Sequence, residues 1–222
     1  MSKSSKPKSE KLAEDATARR KRRSPEEIMQ RLLRAASDEF RRAGYAGATT
    51  AAIARDAEVT EAQLFRYFAS KAELFRAAVF EPLNRHFAEF NTAQLKKGAT
   101  DSRNREAKIH DYVEELQAFI AEHAELLMTL VVAEAYAPES IKGMGEVNAL
   151  GEYFELGATE MQRRLGGNAR VAPELMVRVS FAAVLANVLF KHWMFPPGIA
   201  SDKQISDALT DFVIEGVSIN AG

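Results

Sequence analysis

The sequence predicts an all-α protein of about nine helices, a small three-helix unit containing a helix-turn-helix followed by a larger helical body. Three observations lead there. Apolar residues recur at three- and four-residue steps through nearly every segment. Ser, Thr and Pro stand where helix starts need them. No stretch alternates apolar and polar residues as a half-buried strand would. The 222 residues are 46 % hydrophobic and 27 % charged, values ordinary for a folded chain. The expected division is a basic arm over 1–23, the three-helix unit over 24–70 and the body over 71–222.

Order is expected to begin at Ser24. Ser24-Pro25-Glu26-Glu27 combines an N-cap serine, a proline at the first helical position and a glutamate placed to close a capping box. Ile28, Leu32, Leu33, Ala36 and Phe40 then form one face of a helix over about 25–43, which Gly44 closes. Thr49 or Thr50 caps a short second helix that buries Ile53 and Ala54. After the turn at Glu58-Val59, Thr60 caps a third helix, with Gln63 in position for another capping box. Leu64 and Phe68 point inward, leaving Glu61, Gln63, Arg66 and Tyr67 on or near the outer side. A short helix with polar residues outward, braced by the one before it, is a helix-turn-helix, whose second helix enters the DNA major groove.

The body reads as helices over 71–97, 105–122, 124–136, 146–165, 173–195 and 201–219, the first kinked by Pro82. Gly98–Asn104 and Pro138–Gly145 read as loops. The 173–195 helix is apolar around nearly its whole circumference, so it must be covered on all sides. Together with the last helix it predicts a homodimer interface containing Val184, Val188, Leu209, Phe212 and Val213.

Net charge is only −1, yet its distribution is uneven. Residues 1–23 hold nine Lys/Arg against three acidic groups, residues 24–71 are neutral, and the remainder sums to −7. The run Arg19-Arg20-Lys21-Arg22-Arg23, abutting the first helix, points to a polyanion and predicts a DNA-contacting arm without structure of its own until DNA is bound.

Residues 31–77 resemble the DNA-binding domain of the tetracycline-repressor (TetR-type) family of bacterial transcriptional regulators. The likeness rests on Ala35-Ala36, Phe40, Gly44-Tyr45, Thr49-Thr50, Ile53-Ala54, Ala57, Val59-Thr60, Leu64-Phe65, Phe68, Ser70-Lys71 and Leu74. It implies DNA contacts from Thr50, Thr60, Ala62, Gln63 and Tyr67, with Arg66 beside them. Lys71 would hold a phosphate, and Gln63 can pair with an adenine edge. Glu58, Glu61 and Phe65 depart from the pattern, where Gly, a cation and Tyr are usual. The resemblance implies a regulator, most simply a repressor, that binds a palindromic operator on double-stranded DNA as a homodimer and is released by a small effector.

An effector pocket is expected where the helices of the body meet. Its apolar lining would be Phe87, Phe90, Tyr112, Leu116, Phe119, Tyr153, Met161 and Phe181, with Gln117, Glu134, Asn187 and His192 as polar anchors. These residues suit an apolar or amphipathic effector; the alternative is a dimeric DNA-binding regulator without a small-molecule ligand. An enzyme is not expected. There is no cysteine, no Gly-rich phosphate loop and no chelating histidine spacing among His86, His110, His123 and His192, so no cofactor or metal is expected either. With neither a signal segment nor an apolar run near the roughly 20 residues of a membrane span, the expected location is cytoplasmic.

Overall fold

The computed structural model describes residues 23–100, 105–141, 147–165 and 171–218, and among them there is no strand. The first helix, α1 (Pro25–Gly47), opens as its sequence dictates. The Glu27 amide donates to Ser24 Oγ at 3.1 Å and the Ser24 amide to Glu27 Oε2 at 2.8 Å, a complete capping box. Gly44, at φ 66° and ψ 172°, interrupts the helical run where the cap is expected, and three more residues turn before Ala48. Helix α2 (Thr50–Asp56) is capped by Thr49, whose hydroxyl accepts from the Ala52 amide. Helix α3 (Glu61–Tyr67) carries the expected box between Thr60 and Gln63.

A continuous rod then links the two halves of the molecule. Helix α4 (Lys71–Phe75) runs through a single π turn, Arg76–Phe80, into α5 (Glu81–Thr100). The expected disturbance by Pro82 therefore lies upstream of the proline. Pro82 offers no N–H to the preceding turn, and the Glu81 amide reaches back five residues to the Arg76 carbonyl. Helix α5 also continues through Gly98 to Thr100, where a loop is expected, because one glycine costs a helix only about 1 kcal/mol.

Helices α6 (Arg105–Glu122) and α7 (Ala124–Tyr136) follow, then a single turn, α8 (Pro138–Ile141), within the second expected loop. Beyond it come α9 (Asn148–Leu165) and α10 (Pro173–Leu189). The expected long helix to residue 195 stops at Leu189. Phe190 leaves helical geometry at φ −109° and ψ 19°, and Lys191–Met194 forms a separate turn, α11. The last helix, α12 (Asp202–Ser218), is capped by Ser201 in a third box, closed by Gln204. No single helix among the described residues is long and apolar enough to cross a membrane.

Two apolar cores result. The first gathers Leu32, Ala36 and Phe40 from α1, Ile53 from α2, Leu64 from α3 and Leu74, Phe75 and Val79 from the rod. Phe75 meets Phe40 and Tyr45 edge-on, with centroids 4.8 and 5.0 Å apart. The second begins at Leu83 and contains Phe87, Val113, Leu116, Ile120, Tyr153, Phe181 and Val184. The change of core thus falls at the π turn, ten residues beyond the division expected at Ser70. Helix α7 belongs to both cores: Ala133 is buried in the first and Leu127 in the second. An Arg41–Glu125 ion pair of 3.1 Å joins α7 to α1.

Val184, Leu209 and Val213, expected at a dimer interface, are buried in the chain's own core, and Val188 is half-buried against it. Phe212 is 58 % exposed. The second apolar side of α10 is open, with Leu175 and Val179 both exposed.

Candidate DNA-reading surface and effector cavity

The amino-terminal ends of α2 and α3 are the ends that a helix-turn-helix presents to DNA. Because Thr49 takes the capping duty, the Thr50 hydroxyl is left to donate to the Glu61 carboxylate, which ties the start of α2 to the start of α3. On α3, Glu61, Ala62, Phe65 and Arg66 are exposed and Gln63 and Tyr67 are half-buried. The Gln63 side-chain oxygen accepts from the Thr60 amide at 3.2 Å. That bond uses one of the two lone pairs of the oxygen an adenine contact engages, so the capping box and base reading by Gln63 draw on the same atom.

Glu58 is the one non-glycine residue at positive φ among those described, 54°, in the turn between α2 and α3. Its carboxylate is bound by Arg23 and Arg31, and Arg23 also donates to the Glu58 carbonyl at 3.1 Å. The Arg23 hydrogen bond, followed by that from Arg31, holds the Glu58 carboxyl below the usual carboxylate range. The left-handed backbone that costs a side chain roughly 1–2 kcal/mol is thereby occupied by a residue that anchors the end of the basic arm. Arg19, Arg20, Lys21 and Arg22, and the expectation that the arm has no structure without DNA, lie outside the described residues.

Lys71 has a different placement from the one its expected phosphate role requires. Its Nζ donates to the Tyr45 carbonyl at 2.8 Å and the Ala48 carbonyl at 3.1 Å, and lies 4.6 Å from the Tyr45 ring centroid. Desolvation lowers its pKa. It closes the end of α1 from within the protein, and two of its three donors are spent there.

In the body, a cavity of about 650 Å³ opens between α5, α6, α9 and α10. Ile109, Val113, Leu116, Met161, Val177 and Phe181 supply apolar walls, and Gln94, Lys97, Lys108, Glu115, Glu160 and Arg163 supply polar ones. Five of the expected lining residues are there: Tyr112, Leu116, Tyr153, Met161 and Phe181. Phe87 and Phe119 instead pack on each other at 4.8 Å, inside the core, and Phe90 stacks obliquely on Phe119. None of the four expected polar anchors lines the cavity. Gln117 donates to Ser206 on α12, and Asn187 donates to the Ala183 carbonyl of its own helix. Glu134 is exposed on α7, and His192 is exposed on α11. The polar wall that sequence reasoning missed comes from charged residues near helix ends, where solvated charges are ordinary. Glu115 on α6 binds Lys97 and Gln94 of α5, the latter at 2.7 Å.

In the cavity wall the Tyr112 and Tyr153 hydroxyls are hydrogen-bonded to each other. Burial pushes the Tyr153 phenol up to about 12, so it is neutral at physiological pH. Gly157 allows α9 to approach α10 closely: a Cβ there would lie 2.9 Å from Val177 Cγ1.

Residues 32–78 match the family described as bacterial regulatory proteins, tetR family. The chain carries a tetR-family DNA-binding domain. The likeness of fold extends over most of the chain. It superposes on a TetR-like transcriptional regulator from Rhodococcus sp. RHA1 with a TM-score of 0.61 and 21 % identity, covering 89 % of this chain and 99 % of that one. A TetR family transcriptional regulator, PfmR, from Thermus thermophilus gives 0.58 and 17 %, over 83 % and 97 %. The transcriptional regulator FadR from Bacillus subtilis, in complex with stearoyl-CoA, gives 0.61 and 13 %, over 85 % and 98 %. No curated protein matches the sequence. At these identities the structural likeness establishes the fold, in which α3 is the second helix of the helix-turn-helix.

A feature of the tetR-type body absent from any sequence motif is the stacking of His86, on α5, against His123, at the α6–α7 corner. Their ring centroids are 4.1 Å apart. Desolvation, and then the neighbouring His86, lower the pKa of His123. A histidine held neutral by the fold takes up its proton more readily when unfolded, where its pKa is about 6.5. Its stabilising contribution is therefore complete above that pH and is lost as pH falls through the lower folded value. Thermal melts from about pH 7.5 to about pH 5.5 should show the melting temperature falling more steeply in the wild type than in His123→Phe, which keeps a ring in the stack. Parallel curves would remove the pair as the cause.

Proposed function

We propose that the protein is a transcriptional repressor that binds a palindromic operator as a homodimer and is released by an amphipathic effector held in the body. The observation that carries this reading is the 650 Å³ cavity, apolar inside and charged at one wall, built partly on the rod that runs unbroken back to Lys71 beside α3. A ligand that moves α5 acts on the element packed against the recognition unit. The stearoyl-CoA bound by the FadR of similar fold supports an effector with a long apolar chain and a charged head. The open side of α10, with exposed Phe212 on α12, supports pairing of two copies, which also supplies the two-fold symmetry a palindrome needs. Thr50, Thr60, Ala62, Gln63, Arg66, Tyr67 and the arm at 19–23 are the proposed DNA-facing groups.

Calorimetry with long-chain acyl-CoA, with and without an operator recovered by binding-site selection, tests the gating. Effector affinity should fall by about 5- to 150-fold on the DNA complex, and operator affinity by the same factor in saturating effector, because coupling is reciprocal. Binding of equal strength in both states would sink effector release and leave a dimeric regulator without a small-molecule switch. Light scattering that shows a monomer at micromolar concentration would sink the dimer.

A further inference from the structure

The recognition helix offers DNA an unusual set of groups. Its exposed side chains are Glu61, Ala62, Phe65 and Arg66, a carboxylate, a methyl, an aromatic ring and one cation. Gln63 has its oxygen on the Thr60 amide, and Lys71 is turned into the protein. Phosphates repel a carboxylate, and Phe65 has no polar atom to give them. The two residues that depart most from a phosphate-binding surface, Glu61 at the first position of the helix and Phe65 one turn on, are therefore both exposed on it.

We infer that Glu61 and Phe65 are a base-reading pair, Glu61 for a cytosine and Phe65 for a thymine methyl about two base steps away. This rests on the proposed binding of DNA through α3. The chemistry of the groove selects the partners. Guanine N7 and O6 and thymine O4 are acceptors and repel a carboxylate. Adenine has an amino group but sets the N7 acceptor beside it, where the second carboxylate oxygen would lie. Cytosine's own edge presents its N4 amino group beside a C5–H, with no acceptor of its own to oppose the charge. The Thr50 hydroxyl, reaching across from α2, holds the carboxylate in place before DNA arrives, so less side-chain freedom is lost on binding.

Phe65 is 47 % exposed, and the apolar group available to it in the major groove is the thymine C5-methyl. Glu61 and Phe65 are four residues apart on one helix face, a rise of about 6 Å, close to two base steps of about 3.4 Å. Each half-site should then contain a cytosine and a thymine at that spacing, repeated in inverted orientation.

The test is selection from a randomised duplex library by the full chain, by Glu61→Gln and by Phe65→Ala, each first shown by circular dichroism to be folded. Glu61→Gln keeps an oxygen for the Thr50 hydroxyl and removes only the charge. For the wild type, cytosine should be enriched about tenfold or more at one position of each half-site. In Glu61→Gln that preference should vanish or turn to adenine, while the thymine position stays. In Phe65→Ala the reverse should hold. An unchanged consensus in Glu61→Gln, with all sequences bound more tightly alike, would make Glu61 a general repeller of phosphate and overturn the assignment. So would a wild-type consensus lacking the cytosine–thymine pair, although DNA binding itself would then stand. A wild type that selects no consensus would remove the DNA-binding proposal and this inference with it.

Discussion

Removing residues 1–23 should flatten the salt dependence of operator binding more than any single substitution in the folded domain. The folded unit from 24 to 71 has no net charge, and Lys71, one of its seven cations, is committed to the end of α1. The attraction for the polyanion must then come largely from the run at 19–23. Each phosphate neutralised contributes about 0.9 to the slope of log affinity against log salt. Ten cations on two arms give a difference of about 9, or about 7 if Arg23 stays on Glu58 in the complex. At a slope of 7, a fourfold rise in salt reduces the advantage of the full chain by roughly 10⁴-fold. Filter binding or fluorescence anisotropy across a salt series, on the full chain and a chain beginning at Ser24, measures this directly. Superimposable curves would mean that the basic run does not touch DNA.

Lys71→Met should cost about 2–3 kcal/mol of folding stability. The substitution keeps much of the apolar stem and removes the ammonium, leaving the Tyr45 and Ala48 carbonyls without their charged donor. It also removes the cation over the Tyr45 ring. Urea denaturation read by far-ultraviolet circular dichroism should show the midpoint fall with an unchanged slope. A phosphate-holding lysine behaves in the opposite manner: Lys71→Met would then leave stability within about 0.5 kcal/mol and lower the salt slope by about 2 per dimer. The two measurements on one variant decide between the roles.

What could be read from the sequence divides along a physical line. Ser24, Thr60 and Ser201 announce their helices because a cap and its reciprocal glutamate or glutamine are neighbours in the chain. Leu64 and Phe68 point inward because four-residue spacing puts them on one face. Gly44 marks its turn because few other residues adopt that backbone. Each is a local fact. The misreadings concern residues with two physically sound uses, between which only the distant chain decides. Lys71 at a helix start suits a phosphate equally well as a carbonyl 26 positions earlier. Val184, Leu209 and Val213 suit a second subunit as well as their own core. Phe87 and Phe119 suit a pocket wall as well as the packing beneath one. His86 and His123 lie far apart in the chain and carry no signal of their stacking. Between α10 and α11, the helical pattern runs across Phe190 without a glycine or proline to show that the backbone turns there.

The π turn at Arg76–Phe80 has a consequence for how the two halves are phased. One residue of an α-helix subtends about 100°, and a π turn accommodates one residue more than the α-helical repeat. The rod gives Leu74, Phe75 and Val79 to one core before the turn ends, and Leu83 and Phe87 to the other beyond it. Spreading the turn over one more residue takes back roughly the 100° that the residue adds, so a chain shorter by one residue there would restore the regular spiral and leave α5 in phase with the second core. The surplus residue is thus absorbed where the two cores meet, and the rod can gain or lose it there without turning one half of the molecule against the other.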